Sequence, residues 1–387
     1  MKKICVVTAT RAEYGVLRNV IAAIDQDVEL ELCLVVTGMH LEQRYGNTVH
    51  EIYEDGFPIT RKIPILSAEN GRMGMVNTMA DALRKFGQVF SEIRPDMLIV
   101  VGDRYEILPI CEAAMIYRIP IGHISGGEIT EGAMDDCVRH CITKLSQLHF
   151  PGCEEYRRRI IQMGEQPDSV FNYGDVGVEN IIKMHYMDID ELENSIGFLL
   201  DKPYACVTFH PETLGTTVPE EQVRELLAAI DVFSDMKFIF TGANADVGGE
   251  IIDQMIKAFV DDHVNCRWYS SLGICRYLSL LKKSAMVIGN SSSGIVEAPC
   301  FGIPTINIGD RQKGRLAADS VINCETKRDA IIAAIYKART SEFCEIAANA
   351  VNPYGAGETS AGIIKEIKNY LNGEKKISKK FYDVRIS

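Results

Sequence analysis

Short runs rich in Val and Ile recur through this 387-residue chain, each followed by a longer stretch of helical period, and the series occurs twice. In the first series Ile4 to Thr8, Glu31 to Val36, Met97 to Val101, Ile119 to Ile124 and Val170 to Tyr173 read as strands. The second begins after the polar segment Met187 to Glu193 and supplies Tyr204 to Phe209, Lys237 to Phe240, Ala285 to Ile288 and Pro304 to Ile308. Continuous apolar runs mark strands covered on both faces, and a helical stretch between successive strands makes them parallel. The fold class that follows is α/β, with two Rossmann-like doubly wound domains facing across a cleft. The expected division is 1–175, 176–358, and a last helix with its tail over 359–387. Lys2 to Ile24 and Pro203 to Ile230 open alike as strand, turn and helix, a likeness of architecture and not a repeat of sequence.

Composition narrows the partners. A formal net charge of −12 speaks against a nucleic-acid backbone or an anionic membrane, which need a basic surface. The 12 cysteines are scattered, often within apolar runs and without a CxxC pair, which reads as buried thiols in a reducing compartment. The apolar run Ile4 to Val7 is too short for a signal peptide, and no stretch approaches the roughly 18 apolar residues that span a bilayer. A soluble, cytoplasmic protein is expected. Cys137, His140 and Cys141 share one helix, but no second cluster completes four ligands, so no metal and no other cofactor is expected. That helix is assigned an apolar stripe of Met134, Val138, Cys141, Leu145 and Leu148.

In open α/β sheets ligands sit beyond the carboxyl ends of strands, so chemistry is sought in the loops there. After the first strand, Thr10 and Arg11 stand where a helix starts and its free N–H groups favour an anion. Further strand ends carry Gly102-Asp103-Arg104, then His123 with Ser125-Gly126-Gly127-Glu128, then Asp135 and Asp136 ahead of Arg139 and His140. Acids in a first helical turn suit the helix dipole, but this density of charge at successive strand ends exceeds what capping requires. The second half supplies His210-Pro211-Glu212-Thr213, Thr241-Gly242-Ala243-Asn244 and Gly289-Asn290-Ser291-Ser292-Ser293-Gly294. The last is neither a Walker A loop nor GxGxxG, yet its hydroxyls and amides suit a diphosphate. Glu297 follows as an acceptor for ribose hydroxyls, and Arg311, Lys313 and Arg315 concentrate cations in an otherwise acidic chain.

Taken in order, these segments resemble the UDP-N-acetylglucosamine 2-epimerase family over nearly the whole chain, closest to its hydrolysing branch in sialic-acid-type sugar synthesis. Val36-Thr37-Gly38-Met39-His40, Tyr45-Gly46-Asn47-Thr48 and Ile142-Thr143-Lys144-Leu145 add to the likeness. The resemblance implies a two-domain architecture like that of the GT-B glycosyltransferases, a UDP-sugar as substrate, and a homodimer or homotetramer. It implies that Asp103 and Asp135 are catalytic, that His40, Arg104 and Asn244 line the sugar pocket, and that Arg11 and His210 lie near the diphosphate. It places Ser291 and Ser292 on phosphates, Glu297 on ribose and Arg311 on the nucleotide side. Where some relatives carry a Glu after the His-Ile pair this chain has Ser125, and Glu128 is the substitute candidate for the second acid.

The residue types suit that chemistry on their own terms. Removing the proton at C2 of a sugar while a diphosphate leaves C1 requires a carboxylate base and positive charge on the leaving group. Rehydration of the glycal from the other face inverts C2, which needs a second proton-transfer group. Without a Ser-His-Asp or Cys-His constellation, His210 suits the diphosphate better than nucleophilic attack. The expected reaction converts UDP-N-acetylglucosamine and water into N-acetylmannosamine and UDP, with UDP-N,N'-diacetylbacillosamine as the variant substrate. The rival readings are a glycosyltransferase of the same architecture and a UDP-sugar-binding regulator without turnover.

Overall fold

The computed structural model describes all residues except 70, 131–133, 212–217, 243–248, 356–358, 374–376 and 385–387. The chain divides into two compact units, one of Met1–Asn180 with Tyr354–Ser387 and the other of Ile181–Pro353. Unit 1 holds strands β1 (Lys2–Thr8), β2 (Leu30–Thr37), β3 (Ile59–Ile63), β4 (Met97–Val101), β5 (Ile121–Ile124) and β6 (Leu148–Phe150). Unit 2 holds β7 (Tyr204–Thr208), β8 (Lys237–Thr241), β9 (Cys266–Tyr269), β10 (Met286–Gly289), β11 (Thr305–Ile308) and β12 (Val321–Cys324). The first sheet runs β3-β2-β1-β4-β5-β6 and the second β12-β11-β10-β7-β8-β9, all parallel. Counted from its own first strand, each has the Rossmann order, with the switch point beside β1 in one and β7 in the other.

The continuous apolar runs are explained by burial on both faces. On β1, Ile4 and Val6 join a core with Leu17, Val20, Ile21 and Ile24 of the helix Arg11–Asp25, while Cys5 and Val7 join one with Phe86, Phe90 and Ile110. On β7, Ala205 and Val207 face one core and Tyr204 and Cys206 the other. Burying one such aliphatic side chain contributes about 1.5–3 kcal/mol. The helix Thr359–Asn372 belongs to unit 1, where Ile363, Ile364, Ile367 and Leu371 complete the first core. Its first turn is fastened by Glu179, whose carboxylate accepts from the backbone N–H and the hydroxyl of Ser360, each at 2.7 Å.

Several sequence expectations are corrected. Val170–Tyr173 is not a strand; Val170 makes only an isolated bridge to His149 beside β6. The helix Met134–Leu145 buries Val138, Arg139, Ile142 and Thr143, whereas Met134, Cys137 and Cys141 are exposed and Leu148 lies in β6. The buried face is rotated: Val138 and Ile142, with Leu145 packed against them, join the core that holds Cys5 and Val7, and Arg139 and Thr143 are buried beside them. The polar segment thought to precede the second series contains the start of the helix Ile189–Ile196, capped by Asp188. Among the described residues no helix is long and apolar enough to cross a membrane.

Candidate active site

In unit 1 the strand ends β1, β2, β4 and β5 carry the candidate groups. Thr10 caps the helix Arg11–Asp25 in a capping box, its hydroxyl accepting from Glu13 N at 3.3 Å. Glu13 Oε2 in turn accepts from the N–H groups of Ala9 at 2.7 Å and Thr10 at 2.9 Å, so the loop after β1 is fixed from within. Arg11 is the first helical residue and is exposed. Burial, reinforced by the nearby charge of Glu106, pushes the Glu13 carboxyl up to about 8, against the pull of Arg104 and of the Ala9 and Thr10 amides. Arg104 donates from Nε to the buried Glu106 at 2.7 Å. Burial works against its charge, but Glu106 and Glu13 hold the guanidinium protonated.

His40 is fully buried in the turn after β2. Thr8 Oγ1 gives its proton to Thr10 O, so it accepts from His40 Nε2 at 3.0 Å, and Thr48 Oγ1 lies 2.8 Å from Nδ1. Burial lowers this imidazole to about 4, outweighing the upward pull of backbone hydrogen bonding at Thr10 and Thr48. His40 therefore holds the β1 loop to the Thr48 turn as a neutral ring. His123 does the same between β4 and β5: Nε2 donates to Gly102 O at 2.8 Å and Nδ1 lies 3.2 Å from Thr143 Oγ1.

The acids converge on Arg139, which is 2% exposed. Its Nη2 pairs with Asp103 Oδ2 and donates to Thr130 Oγ1 at 3.1 Å; its Nη1 donates to Glu128 O at 3.1 Å and lies 3.5 Å from Asp136 Oδ1. Asp136 also accepts from Thr130 N at 2.7 Å, so its carboxylate organises the 128–130 loop. Asp135 is exposed at the start of the helix. Ser125 adopts φ 60°, a left-handed conformation rare for a residue with Cβ, and so turns the chain sharply out of β5. Gly127 follows at φ 80°, where a Cβ would stand 2.5 Å from Tyr156 O. This turn sets the main-chain carbonyl of Glu128, a residue 9% exposed, on the same guanidinium as the Asp103 carboxylate.

In unit 2 the ends of β7 and β10 meet at Asn290. Its side chain accepts from His210 N at 2.7 Å and donates to His210 O at 2.8 Å, while its carbonyl accepts from Arg311 Nη1 at 3.0 Å and Gln312 Nε2 at 2.8 Å. Burial lowers the His210 imidazole to about 3, with the Arg311 charge acting in the same direction. Ser291 and Ser292 lead into the short helix Ser293–Val296. Ser293 Oγ donates to Glu297 Oε2 at 2.5 Å and lies 2.6 Å from Tyr277 Oη. Burial raises the Glu297 carboxyl, and the Ser293 hydroxyl only partly offsets it. Asn244, together with Glu212 and Thr213, lies outside the described residues.

Arg139, Glu13, Glu106 and Asn290 organise these groups although sequence reasoning assigns them no role. The Thr10-x-x-Glu13 spacing carries the signal for one of them. Arg139 and Asn290 lie within segments singled out in the sequence, but their pairings with Asp103 and His210 are formed only by the fold, and Glu106 carries no sequence signal. Among the described residues no three His, Cys, Asp or Glu side chains are grouped to hold a metal ion.

The family model described as UDP-N-acetylglucosamine 2-epimerase matches residues 22–368. The chain is 41% identical over 385 residues to the Polysialic acid biosynthesis protein P7 of Escherichia coli, covering 99% of this chain and 98% of that one. It is also 41% identical over 325 residues to the hydrolysing GDP/UDP-N,N'-diacetylbacillosamine 2-epimerase of Campylobacter jejuni, covering 84% of each. The crystal structure of UDP-GlcNAc 2-epimerase from Neisseria meningitidis, bound to UDP-GlcNAc, superposes with a TM-score of 0.84 at 19% identity, covering 95% of this chain and 100% of that one. That likeness speaks to the fold, and the sequence matches to the family. With two Rossmann-ordered sheets, acids gathered at the strand ends of one unit and matches along nearly its whole length, the chain belongs to the UDP-N-acetylglucosamine 2-epimerase family.

Proposed function

We propose that this protein is a hydrolysing 2-epimerase that converts a UDP-linked 2-acetamido sugar and water into UDP and the free manno-configured sugar. The observation that carries the reading is the cluster on Arg139, which holds Asp103 and the Glu128 loop together at adjacent strand ends of unit 1. A carboxylate tied to a buried guanidinium is fixed in direction, as a base aimed at one C–H bond must be. Asp103 or Asp135 takes the C2 proton as the C1–O bond breaks and the diphosphate departs with its electron pair. Water then adds OH to C1 of the glycal, and a proton reaches C2 from the opposite face, with Glu128 as the candidate donor. In this reading Arg104 and His40 shape the sugar side. Unit 2 holds the nucleotide: Arg311, His210, Ser291 and Ser292 meet the diphosphate, and Glu297 accepts from the ribose; Arg11 is assigned to the diphosphate by resemblance alone. Asn244 is assigned to the pocket by resemblance alone.

UDP-N-acetylglucosamine is the first substrate proposed. The likeness to the Campylobacter enzyme favours UDP-N,N'-diacetylbacillosamine as the second, since a pocket difference of a few atoms separates the two. Incubating the protein with each UDP-sugar in D₂O and reading the free sugar by NMR tests both questions. Elimination followed by hydration requires a solvent deuteron at C2 of every product molecule, with C2 inverted. A glycosyltransferase or simple hydrolase leaves C2 protonated and unchanged, and that outcome would refute the elimination mechanism together with the roles of Asp103 and Asp135.

A further inference from the structure

We propose that Asn290 is a positioning residue that fastens His210 and Arg311 into one preformed group for a nucleoside diphosphate, an inference that rests on the reading of unit 2 as the nucleotide site. Asn290 is completely buried just beyond β10, at the place where the β7–β10 pairing ends at Gly289 and Thr208. Its own N–H continues that ladder by donating to Thr208 O at 3.1 Å. Gly289 makes the approach possible, because a Cβ there would stand 1.9 Å from Thr208 O. One residue further the backbones no longer pair directly, and the Asn290 amide replaces the missing rung by accepting from His210 N and donating to His210 O. The main-chain carbonyl of the same residue receives Arg311 and Gln312. Backbone direction at His210 and the reach of Arg311 are thus set by a single residue before any ligand arrives.

The chemistry of the pair makes this testable. Only a group presenting a donor and an acceptor side by side satisfies both the N–H and the C=O of His210. An ionised carboxylate of the same shape meets the carbonyl with a second acceptor, whereas a protonated carboxyl again donates to it. Asn290→Asp should therefore weaken UDP binding, measured by calorimetry, by about tenfold or more relative to wild type at pH 7.5. The gap should narrow as both proteins are taken to pH 5. Asn290→Ser carries no charge and cannot span the pair, so it should lose affinity by a similar factor at both pH values. Thermal melts at each pH establish that the variants are folded. Wild-type binding by either variant at pH 7.5, or an Asn290→Asp deficit that does not shrink on acidification, would overturn the inference. Failure of the wild-type protein to bind UDP would instead remove the nucleotide site on which it rests.

Discussion

Arg139 is a buried cation with several acceptors, and truncating it leaves the half-buried carboxylates of Asp103 and Asp136 without their charge partner. Lys retains the charge but not the planar fork that reaches Asp103, Thr130 and Glu128 O at once. Arg139→Lys should thus lower kcat by roughly 10²-fold while UDP affinity stays near wild type, because the nucleotide contacts proposed for unit 2 are untouched. Asp103→Asn should do the same by removing a proton-transfer group, on the order of 10² or more. Steady-state kinetics beside UDP calorimetry checks both, and unaltered turnover in either would remove that residue from the catalytic cluster. Arg311→Ala and Glu297→Ala belong to the opposite class: UDP affinity should fall in each. The same division explains what sequence reading captures at this scale. Asp103, Glu128 and His210 stand next to strand ends and are visible as motifs. Arg139 and Asn290 act through partners tens of residues away, and only folding reveals those pairings.

Among secondary-structure elements, legibility follows burial. The central strands β1, β4, β7 and β10 stand out as Val/Ile runs because their side chains are covered on both faces. The strands that escape sequence reading, β3, β6, β9 and β12, are the sheet edges. β3, Ile59-Thr60-Arg61-Lys62-Ile63, has no buried position, β9 and β12 mix buried with half-exposed or exposed ones, and β6 is only three residues long. Charged, short edges protect a sheet from pairing with another chain, and this same protection erases the apolar signal. The helix Thr359–Asn372 illustrates the converse, since its apolar positions are legible but the core they enter is built from residues between Ile4 and Val176, most of them more than two hundred positions back along the chain. Ile363 is fully buried there, so Ile363→Ala should cost about 2–5 kcal/mol, read from urea unfolding. A loss well below that range would mean that the helix contributes little to the core of unit 1.

For the whole molecule, buried ionisable groups set the pH dependence of stability. His40, His123 and His210 are held at about 4, 3 and 3, each by burial first, against an ordinary 6.5. Below pH 6.5 the unfolded chain takes up these protons and the native chain does not, so stability should fall as pH drops from 6.5 toward 4. Glu13 has the opposite sign: held near 8, it binds its proton in the native state, and its contribution is lost as pH rises through 8. Urea midpoints from pH 4 to 8.5 should show both limbs, and Glu13→Gln, which keeps an acceptor for the Ala9 and Thr10 amides, should flatten the alkaline one. An acid limb absent from the wild type would contradict the neutral, buried state of the three imidazoles. The path of the chain adds a matter of timing. Unit 2 is an uninterrupted segment, whereas unit 1 is split around it and waits for residues 354–387. On the ribosome the second unit can close while the first still lacks the helix carrying Ile363, Ile364, Ile367 and Leu371. The nascent amino-terminal half thus exposes an unfilled apolar face until the helix Thr359–Asn372 has been made, and during that interval chaperones have most reason to hold it.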